Sequence, residues 1–483
     1  MGIKNFHTWL HQKFPSCFIP TRNNNIYEYI YIDLNFILHN SIYGCKTEKD
    51  FIHRLTANLD IIFSNFIATK EIFFAIDGPA SFAKIVLQRE RRLTNINKLN
   101  TEAINSLCLT PGIGIMESFE KRILLYINNL KNKFKYLKIN CKTSFSNESD
   151  EGEIKICKRV IENGKNNQYR HLIVGNDADL VVLSMGMKPV YNINILIKGK
   201  DSNELISLKN LLHAHCKYLD KDDKIEVLCN SILREDFIVL SIMMGNDYLP
   251  KIAYIDYDKL WKTYKHFILK TNKTIINDTG SFDEGASNFM LMIYNSLANG
   301  FKKASSGNYN VDQASSYLEG LLWCVDMYKF GICAKYDYMY NHNSPNPYEL
   351  FFHLCAEKDK IQLVKSDFQP ISSKIYPLII MPKKASYLLT KTQQNLMNGE
   401  LKYLYEKEEC NECRKQLVLL TKARNELNEK INKSEKGDEV VESLKSKFKI
   451  MEKIYKTHKN THANFGIKDI HNIILIAKKN KIV

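Results

Sequence analysis

One feature constrains this chain more than any other: three apolar runs, each closing on aspartate. Tyr29-Ile-Tyr-Ile-Asp33 reads as a strand whose last residue is Asp33. Phe73-Phe-Ala-Ile-Asp77 repeats the pattern ahead of a Gly78-Pro79 turn. His171-Leu-Ile-Val-Gly-Asn-Asp177-Ala-Asp179 does so again, and a further apolar run, Leu180 to Leu183, starts at once. Short continuous apolar runs suit a parallel sheet buried on both faces. The ends of parallel strands share one edge, where open α/β sheets take their ligands. The pattern predicts an α/β fold: a central, mostly parallel sheet with helices on both faces and acids at its carboxyl edge. For the third run two readings stay open. An Asp after a strand often caps the next helix. Two aspartates flanking Ala178 among apolar residues are costly to bury as ions unless a cation compensates them, which points to a metal site.

More acids join this edge. Glu151 and Glu153, in Glu-Gly-Glu-Ile-Lys-Ile, stand at a helix start, where the helix dipole favours acids in any case. The apolar helix that begins at Asp236 ends in Gly245-Asn-Asp247-Tyr-Leu-Pro250. Asp33, Asp77, Glu151, Glu153, Asp177, Asp179 and Asp247 are therefore expected together. Carboxylates so crowded repel one another in a low dielectric. Divalent cations relieve the repulsion, and hard Mg²⁺ or Mn²⁺ prefers oxygen ligands. Two such ions about 3.5–4 Å apart would activate water for in-line attack on phosphorus and stabilise the leaving oxygen. No P-loop, GxGxxG, Ser–His–Asp or Cys–His arrangement competes for the chemistry.

A length of 483 residues suggests two or three subdomains. The expected division is a nuclease core at 1–255, a helical and aromatic region completing the site at 256–397, and a charged helical segment at 398–483. The net charge of +15 fits an anionic partner, although the richness in Lys and Asn also has genomic base composition as a source. Twelve cysteines without a disulfide-like framework suit a reducing compartment, and Cys410-Asn-Glu-Cys413 reads as incidental rather than as a zinc half-site. Trp9-Leu-His-Gln-Lys interrupts any signal-peptide core, Phe6 excludes a myristoylation signal after Gly2, and no apolar run is long enough to span a membrane. A cytoplasmic monomer is expected, with a nuclear location left open.

Helical spacing of Ile3, Phe6, Leu10 and Phe14 predicts a first helix stopped by Pro15. Residues 51–68 and 316–332 read as helices, as do 256–300 with a break at 277–285. The segment 398–459, broken at 434–438, reads as an antiparallel helical pair packing through Leu417, Leu420, Leu427 and Ile431. Ala477-Lys-Lys-Asn-Lys forms a small basic tail.

Longer motifs carry a resemblance. MGIKNFHTWLHQKFP, YIDLNFILH, FFAIDGPASFAKIVLQRERR, LTPG, EGEIKI, GNDADLVVLS, DFIVLSIMMGNDYLP and YLEGLLW occur in that order across most of residues 1–330, with weaker likeness to about 390. Together they resemble the Xrn family of 5′→3′ exoribonucleases, relatives of the flap-endonuclease and PIN-like nucleases. The resemblance implies that the seven acids bind metal. It also implies that Lys84, Gln88, Arg91 and Arg92 receive a 5′-monophosphate and that His39 stacks on the first bases. Residues 84, 88 and 91 share a helical face with Arg92 beside them; a solvated basic face is the alternative, and the start of this helix directly after Asp77 favours phosphate binding. There are departures. Ser149-Asp150 replaces the family's Pro-Gly, and the loop 334–342 has no Trp, leaving Tyr336, Tyr338 or Tyr340 as its aromatics. Beyond residue 400 the likeness ends, as in a compact member from an AT-rich genome such as a large DNA virus.

The expected activity is two-metal hydrolysis of single-stranded RNA bearing a 5′-monophosphate, with the decapping machinery as a possible partner. A flap endonuclease or DNA 5′ exonuclease would use the same acids and differ in substrate. An inactive RNA-binding scaffold is the rival from another class, and retention of all seven acids argues against it.

Overall fold

The computed structural model describes residues 3–482 except 4, 22–24, 97–102, 135–138, 178, 189, 199–202, 222–231, 298–308, 364–365, 407–410, 432–438 and 460–464. Seven strands form one sheet: β1 Phe18–Ile19, β2 Asn25–Asp33, β3 Phe66–Ala75, β4 Asn140–Ser144, β5 His171–Val174, β6 Ile193–Lys198 and β7 Asn203–Ser207. Their order is β1-β7-β6-β5-β2-β3-β4. Neighbours from β6 through β5, β2 and β3 to β4 are parallel. β7 and β1 close one edge in antiparallel pairing. The chain enters at β2, steps outward to β3 and β4, then returns to β5 on the other side of β2. That reversal lies between β2 and β5, the place where a crevice opens at the strands' carboxyl ends in sheets of this kind.

Burial on both faces explains the apolar runs. Ile30, Tyr31 and Ile32 are all fully buried although successive residues point to opposite faces. Tyr31, Phe73, Ile173 and Ile195 share one continuous core. On that face the helix α6 Gly152–Asn163 reaches the sheet, with Asn163 donating to the Tyr31 hydroxyl at 3.2 Å. On the other face Phe74 meets Phe63 of the helix Glu48–Asn65 edge to face, centroids 6.1 Å apart. Helices thus cover both faces, as the apolar runs imply. The helix Glu48–Asn65 opens three residues earlier than its periodicity suggests because Thr47 and Asp50 form a reciprocal capping box. It also ends earlier, because Phe66-Ile-Ala joins the ladder opposite Asn25-Ile-Tyr and makes β3 longer than its apolar core.

The first helix, Phe6–Lys13, buries Phe6, Trp9 and Leu10. Trp9 stacks on Tyr257 at 5.0 Å and meets Trp261 at 4.4 Å, both on the helix Tyr257–Thr271. The break within 256–300 falls between that helix and Gly285–Ser296, and the aromatic-rich helix runs Val311–Phe330. No described helix is long and apolar enough to cross a membrane.

The chain divides into two compact units, Met1–Gln88 with Leu99–Pro377, and Arg89–Lys98 with Leu378–Val483. Residue 255 lies inside the first unit, and residues 378–397 go with the second. Within the second, Arg89 is buried, donates to the Ile379 carbonyl at 2.5 Å and lies 4.2 Å from the Phe465 ring centroid. The helices Asn411–Ile431 and Glu439–Lys459 pack on each other. Leu420 is buried in this pair, while Ile431, the last residue of its helix, is 45% exposed rather than packed. Cys410 and the break at 434–438 lie outside the described residues, as do Gly2 and Ala178.

β3 and α6 are joined by a bidentate ion pair. Arg159 Nε and a terminal nitrogen donate to the two Glu71 oxygens at 2.8 and 2.6 Å, with Glu71 only 5% exposed. Burial alone would push the Glu71 carboxyl up, but Arg159 and Asn163 hold it below its ordinary value. Arg159→Ala would leave a buried charge without its partner, so chemical denaturation should show a loss of about 3 kcal/mol. Arg159→Lys should recover part of it.

Candidate active site

The strand ends deliver the first three acids to one edge. Asp33 is the last residue of β2 and lies opposite Ala75, two residues before Asp77. Its neighbour across the reversal is β5, with Ile32 opposite Val174, three residues before Asp177. Asp33 Oδ1 accepts from the Asn35 N–H at 3.0 Å, and Asn35 Oδ1 in turn accepts from the Asp77 N–H at 3.2 Å. One short turn after β2 therefore orients two of the carboxylates.

α6 brings the Glu151 and Glu153 pair. The Gly152 N–H donates to Asp77 Oδ1 at 2.7 Å. A Cβ at position 152 would stand 3.3 Å from that oxygen and 3.4 Å from Asp33 Oδ1, so the backbone of α6 approaches both aspartates closely. The loop before α6 is where Ser149-Asp150 replaces the family's Pro-Gly. Asp150 adopts a left-handed conformation, φ 77°. Its N–H donates to Pro79 O at 3.0 Å, its carbonyl accepts from the Gly78 N–H at 2.8 Å, and its carboxylate accepts from the Tyr336 hydroxyl at 2.6 Å. A Cβ on Gly78 would lie 1.6 Å from Glu148 O, so only glycine admits this docking. Buried Lys155 donates to the carbonyls of Ile76, Phe145 and Glu148 at 2.8, 2.8 and 3.0 Å. Burial lowers its pKa to about 8.

The capping reading of the third aspartate run is met, and its two acids join the others at the strand ends. Asp177 Oδ1 accepts from the Asp179 N–H at 3.2 Å and so caps the helix Asp179–Gly186. Asp179, 3% exposed in the first turn of that helix, accepts from the Ile3 N–H at 2.9 Å. Asp247 follows the helix Leu233–Met243, and Glu151 accepts from the hydroxyl of its neighbour Tyr248.

All seven expected acids thus meet in the first compact unit. Their mutual repulsion is legible in their protonation. Burial, then the charge of Asp77, pushes Asp33 up to about 8, although a part of its surface stays accessible. Burial and Asp177 push Asp179 up to about 8 as well. Glu153 is raised well above the carboxylate range by burial, Asp177 and Glu151, and Glu151 is raised by burial against the pull of Lys84.

Lys84 is the cation in contact. Its ammonium lies 2.5 Å from Glu151 and 2.7 Å from Asp247, with the residue 9% exposed. Burial opposes its charge, but Glu151, Asp247 and Glu153 outweigh it and hold its pKa well above normal. A solvated basic face therefore does not describe position 84. Gln88 is half-buried, and its carbonyl accepts from the Tyr376 hydroxyl at 2.6 Å. Arg91 and Arg92, half-buried, fall in the second unit, and His39 is exposed in the last turn of the helix Leu34–Ile42.

The loop without Trp has a different task from base stacking at two of its tyrosines. The Tyr336 and Tyr338 carbonyls accept from the Phe82 and Ala83 N–H groups at 2.8 and 3.1 Å, closing the start of the helix Phe82–Asn95 that carries Lys84. Tyr338 is buried against Trp323 with its hydroxyl on Ser316 O. Asn35, Lys155 and Tyr248 are not among the expected site residues, and Tyr336 is expected for stacking rather than for its bond to Asp150. Asn35 and Tyr248 stand two and one positions from an expected acid, and Lys155 lies inside the EGEIKI motif; Tyr336 is joined to the site by tertiary contact alone.

Residues 1–198 match the family described as XRN 5′-3′ exonuclease N-terminus. The 5′-3′ exoribonuclease 1 of Saccharomyces cerevisiae is 26% identical over 332 residues, covering 59% of this chain and 22% of that protein. The human 5′-3′ exoribonuclease 1 is 23% identical, covering 58% and 19%. The 5′-3′ exoribonuclease 2 homolog of Caenorhabditis elegans is 23% identical, covering 58% and 39%. The chain spans about a fifth of the length of the first two. Among solved structures, the catalytic core of Rad2 in complex with DNA substrate matches 61% of this chain and 82% of that one, with TM-score 0.31 and 12% identity. This match and these relatives set beside the motifs make residues 1–198 similar to the N-terminal region of the Xrn 5′→3′ exonucleases.

Proposed function

We propose that this chain is a 5′→3′ exoribonuclease that removes nucleotides one at a time from single-stranded RNA carrying a 5′-monophosphate. The observation that carries the reading is the meeting of seven carboxylates at the sheet reversal, with Lys84 in contact with two of them. The sequence relatives, 5′-3′ exoribonucleases, support it. The net charge of +15 suits a polyanion.

The donor set fits hard divalent cations. It is all oxygen, and burial, then the charges of Asp77 and Asp177, push Asp33 and Asp179 up to about 8. Asp33, Asp77, Glu151, Glu153, Asp177, Asp179 and Asp247 would hold Mg²⁺ or Mn²⁺, two ions, supplying an activated water and charge for the leaving oxygen. The protein's own groups prepare the rest. Asn35, Gly152 and Ile3 fix carboxylate oxygens through neutral donors, and Tyr248 fixes Glu151. Lys84 places a buried positive charge beside Glu151 and Asp247, where a phosphate oxygen could share it. Because the Gln88 carbonyl is occupied by Tyr376, its NH₂ is the end left to donate to an anion. Lys84, Gln88, Arg91 and Arg92 are assigned to the terminal phosphate, Arg being suited to bidentate phosphate contact.

Digestion of end-labelled RNA bearing 5′-monophosphate, triphosphate, cap or hydroxyl tests the reading. Monophosphate RNA should be shortened from its 5′ end to mononucleotides with Mg²⁺ or Mn²⁺ and spared in EDTA. Cleavage at the branch of a DNA flap in place of RNA would overturn it. Asp177→Asn should cut turnover by about 100-fold or more while RNA binding persists, since the amide keeps the shape and loses the charge. Arg92→Ala should slow monophosphate RNA by about 10- to 150-fold, the equivalent of one charge-assisted hydrogen bond, and leave hydroxyl RNA nearly untouched.

The acids also predict a pH-dependent response to metal. Asp33 and Asp179 rise from 3.8 to about 8 on folding, so the protonated forms favour the fold. Their contribution is fully present below 3.8 and is lost as pH rises through about 8. Metal needs the deprotonated carboxylates. Mg²⁺ should therefore raise the thermal midpoint clearly near pH 8 and barely near pH 5, and Asp179→Asn should shrink the difference.

A further inference from the structure

A second constellation lies on other residues. His7 and His11, one helical turn apart on the helix Phe6–Lys13, face Glu204 of β7. The His7 and His11 Nε2 atoms lie 3.5 and 3.1 Å from Glu204 Oε2, and the three ligand atoms all fall within 4.8 Å of one another. A tetrahedral site with bonds of 2.0–2.1 Å has ligand atoms about 3.3 Å apart, so this spacing needs little adjustment to enclose an ion. His7 Nε2 is sealed from solvent and faces Glu204 Oε2 at 3.5 Å, a long contact that a cation between the two atoms would tighten.

The rings are also held in place. His11 stacks on Phe18 of β1 with centroids 3.4 Å apart, and His7 meets the same ring edge-on at 5.5 Å. His at i and i+4 on one helical face is a recurrent metal-holding spacing. The chemistry differs from the acid cluster: two imidazoles and one carboxylate suit a borderline-soft transition ion, whereas seven carboxylates suit a hard one.

We propose that His7, His11 and Glu204 form a binding site for a divalent transition metal of the Zn²⁺ class, with water as the fourth ligand, fastening the first helix to β7. The same helix follows Ile3, whose N–H holds Asp179, so the ion would steady one support of the acid cluster from outside it.

The test uses the full chain stripped with EDTA and then kept in excess Mg²⁺ to fill the acid cluster. Co²⁺ alone is titrated and followed by its visible ligand-field absorption, then displaced with Zn²⁺. One equivalent should give a nitrogen-ligated tetrahedral spectrum that Zn²⁺ bleaches. His11→Ala and Glu204→Gln should each weaken Co²⁺ affinity by about 100-fold or more, while Asp177→Asn should leave it unchanged. Glu204→Gln keeps the side-chain volume, so matching near-ultraviolet circular dichroism separates loss of the site from loss of the fold. Zn²⁺ should raise the thermal midpoint of the wild type and not that of Glu204→Gln. Absence of the spectrum at one equivalent, its persistence in the His7→Ala/His11→Ala pair, or its loss in Asp177→Asn would each overturn the proposal.

Discussion

Like charge held close together at the reversal of a parallel sheet is the constraint on which the rest depends. Two carboxylates about 4 Å apart repel by about 4 kcal/mol at an effective dielectric of 20, so a cluster of seven is a large standing cost. Among the described residues Lys84 is a cation in direct contact with it. The protein restrains the oxygens chiefly with neutral donors, the N–H groups of Ile3, Asn35, Gly152 and Asp179 and the hydroxyl of Tyr248. Such donors fix direction without removing charge. The cluster stays able to receive positive charge from outside, and Lys84 supplies a limited share from within.

A rigid base is needed to hold groups that repel. The parallel strands provide it because Ile30, Tyr31, Ile32 and their partners are buried on both faces, and the β3–α6 ion pair of Glu71 and Arg159 ties the two elements that carry Asp77 and Glu153. Stability is given up at the strand ends and recovered in the layers beneath them. Close backbone approach completes the arrangement: Gly78 admits the Glu148 carbonyl, and Gly152 admits two aspartates.

What was legible in the amino-acid order follows from how local each signal is. The strands that end on Asp33 and near Asp77 and Asp177 announce themselves because a doubly buried strand must be continuously apolar. The convergence of their acids follows from parallel topology alone. β4, Asn140-Cys-Lys-Thr-Ser, is mostly polar and partly exposed at the sheet's edge, so nothing in its composition marks it as a strand. β1, two residues long, is made a strand by β7, and β7, five residues long, by its pairing with β6. For Lys84 the sequence offers a phosphate ligand or a surface charge but not its carboxylate partners, because spacing reports a helical face and not what lies opposite it; those partners are 67 and 163 positions away. Tyr336 and Tyr338 are read from sequence for their rings, and the fold uses their carbonyls as well as their side chains.

Those two peptide oxygens carry a wider implication. A helix start closed by main-chain acceptors asks little of the residues that present them, provided that the chain follows the same path. Selection at such a place acts on the route of the backbone more than on the letters along it. Related chains can then drift apart through this loop, even to the loss of an aromatic that others keep, while the first turn of the helix bearing Lys84 stays where it is. Sequence divergence there is a poor measure of divergence in mechanism.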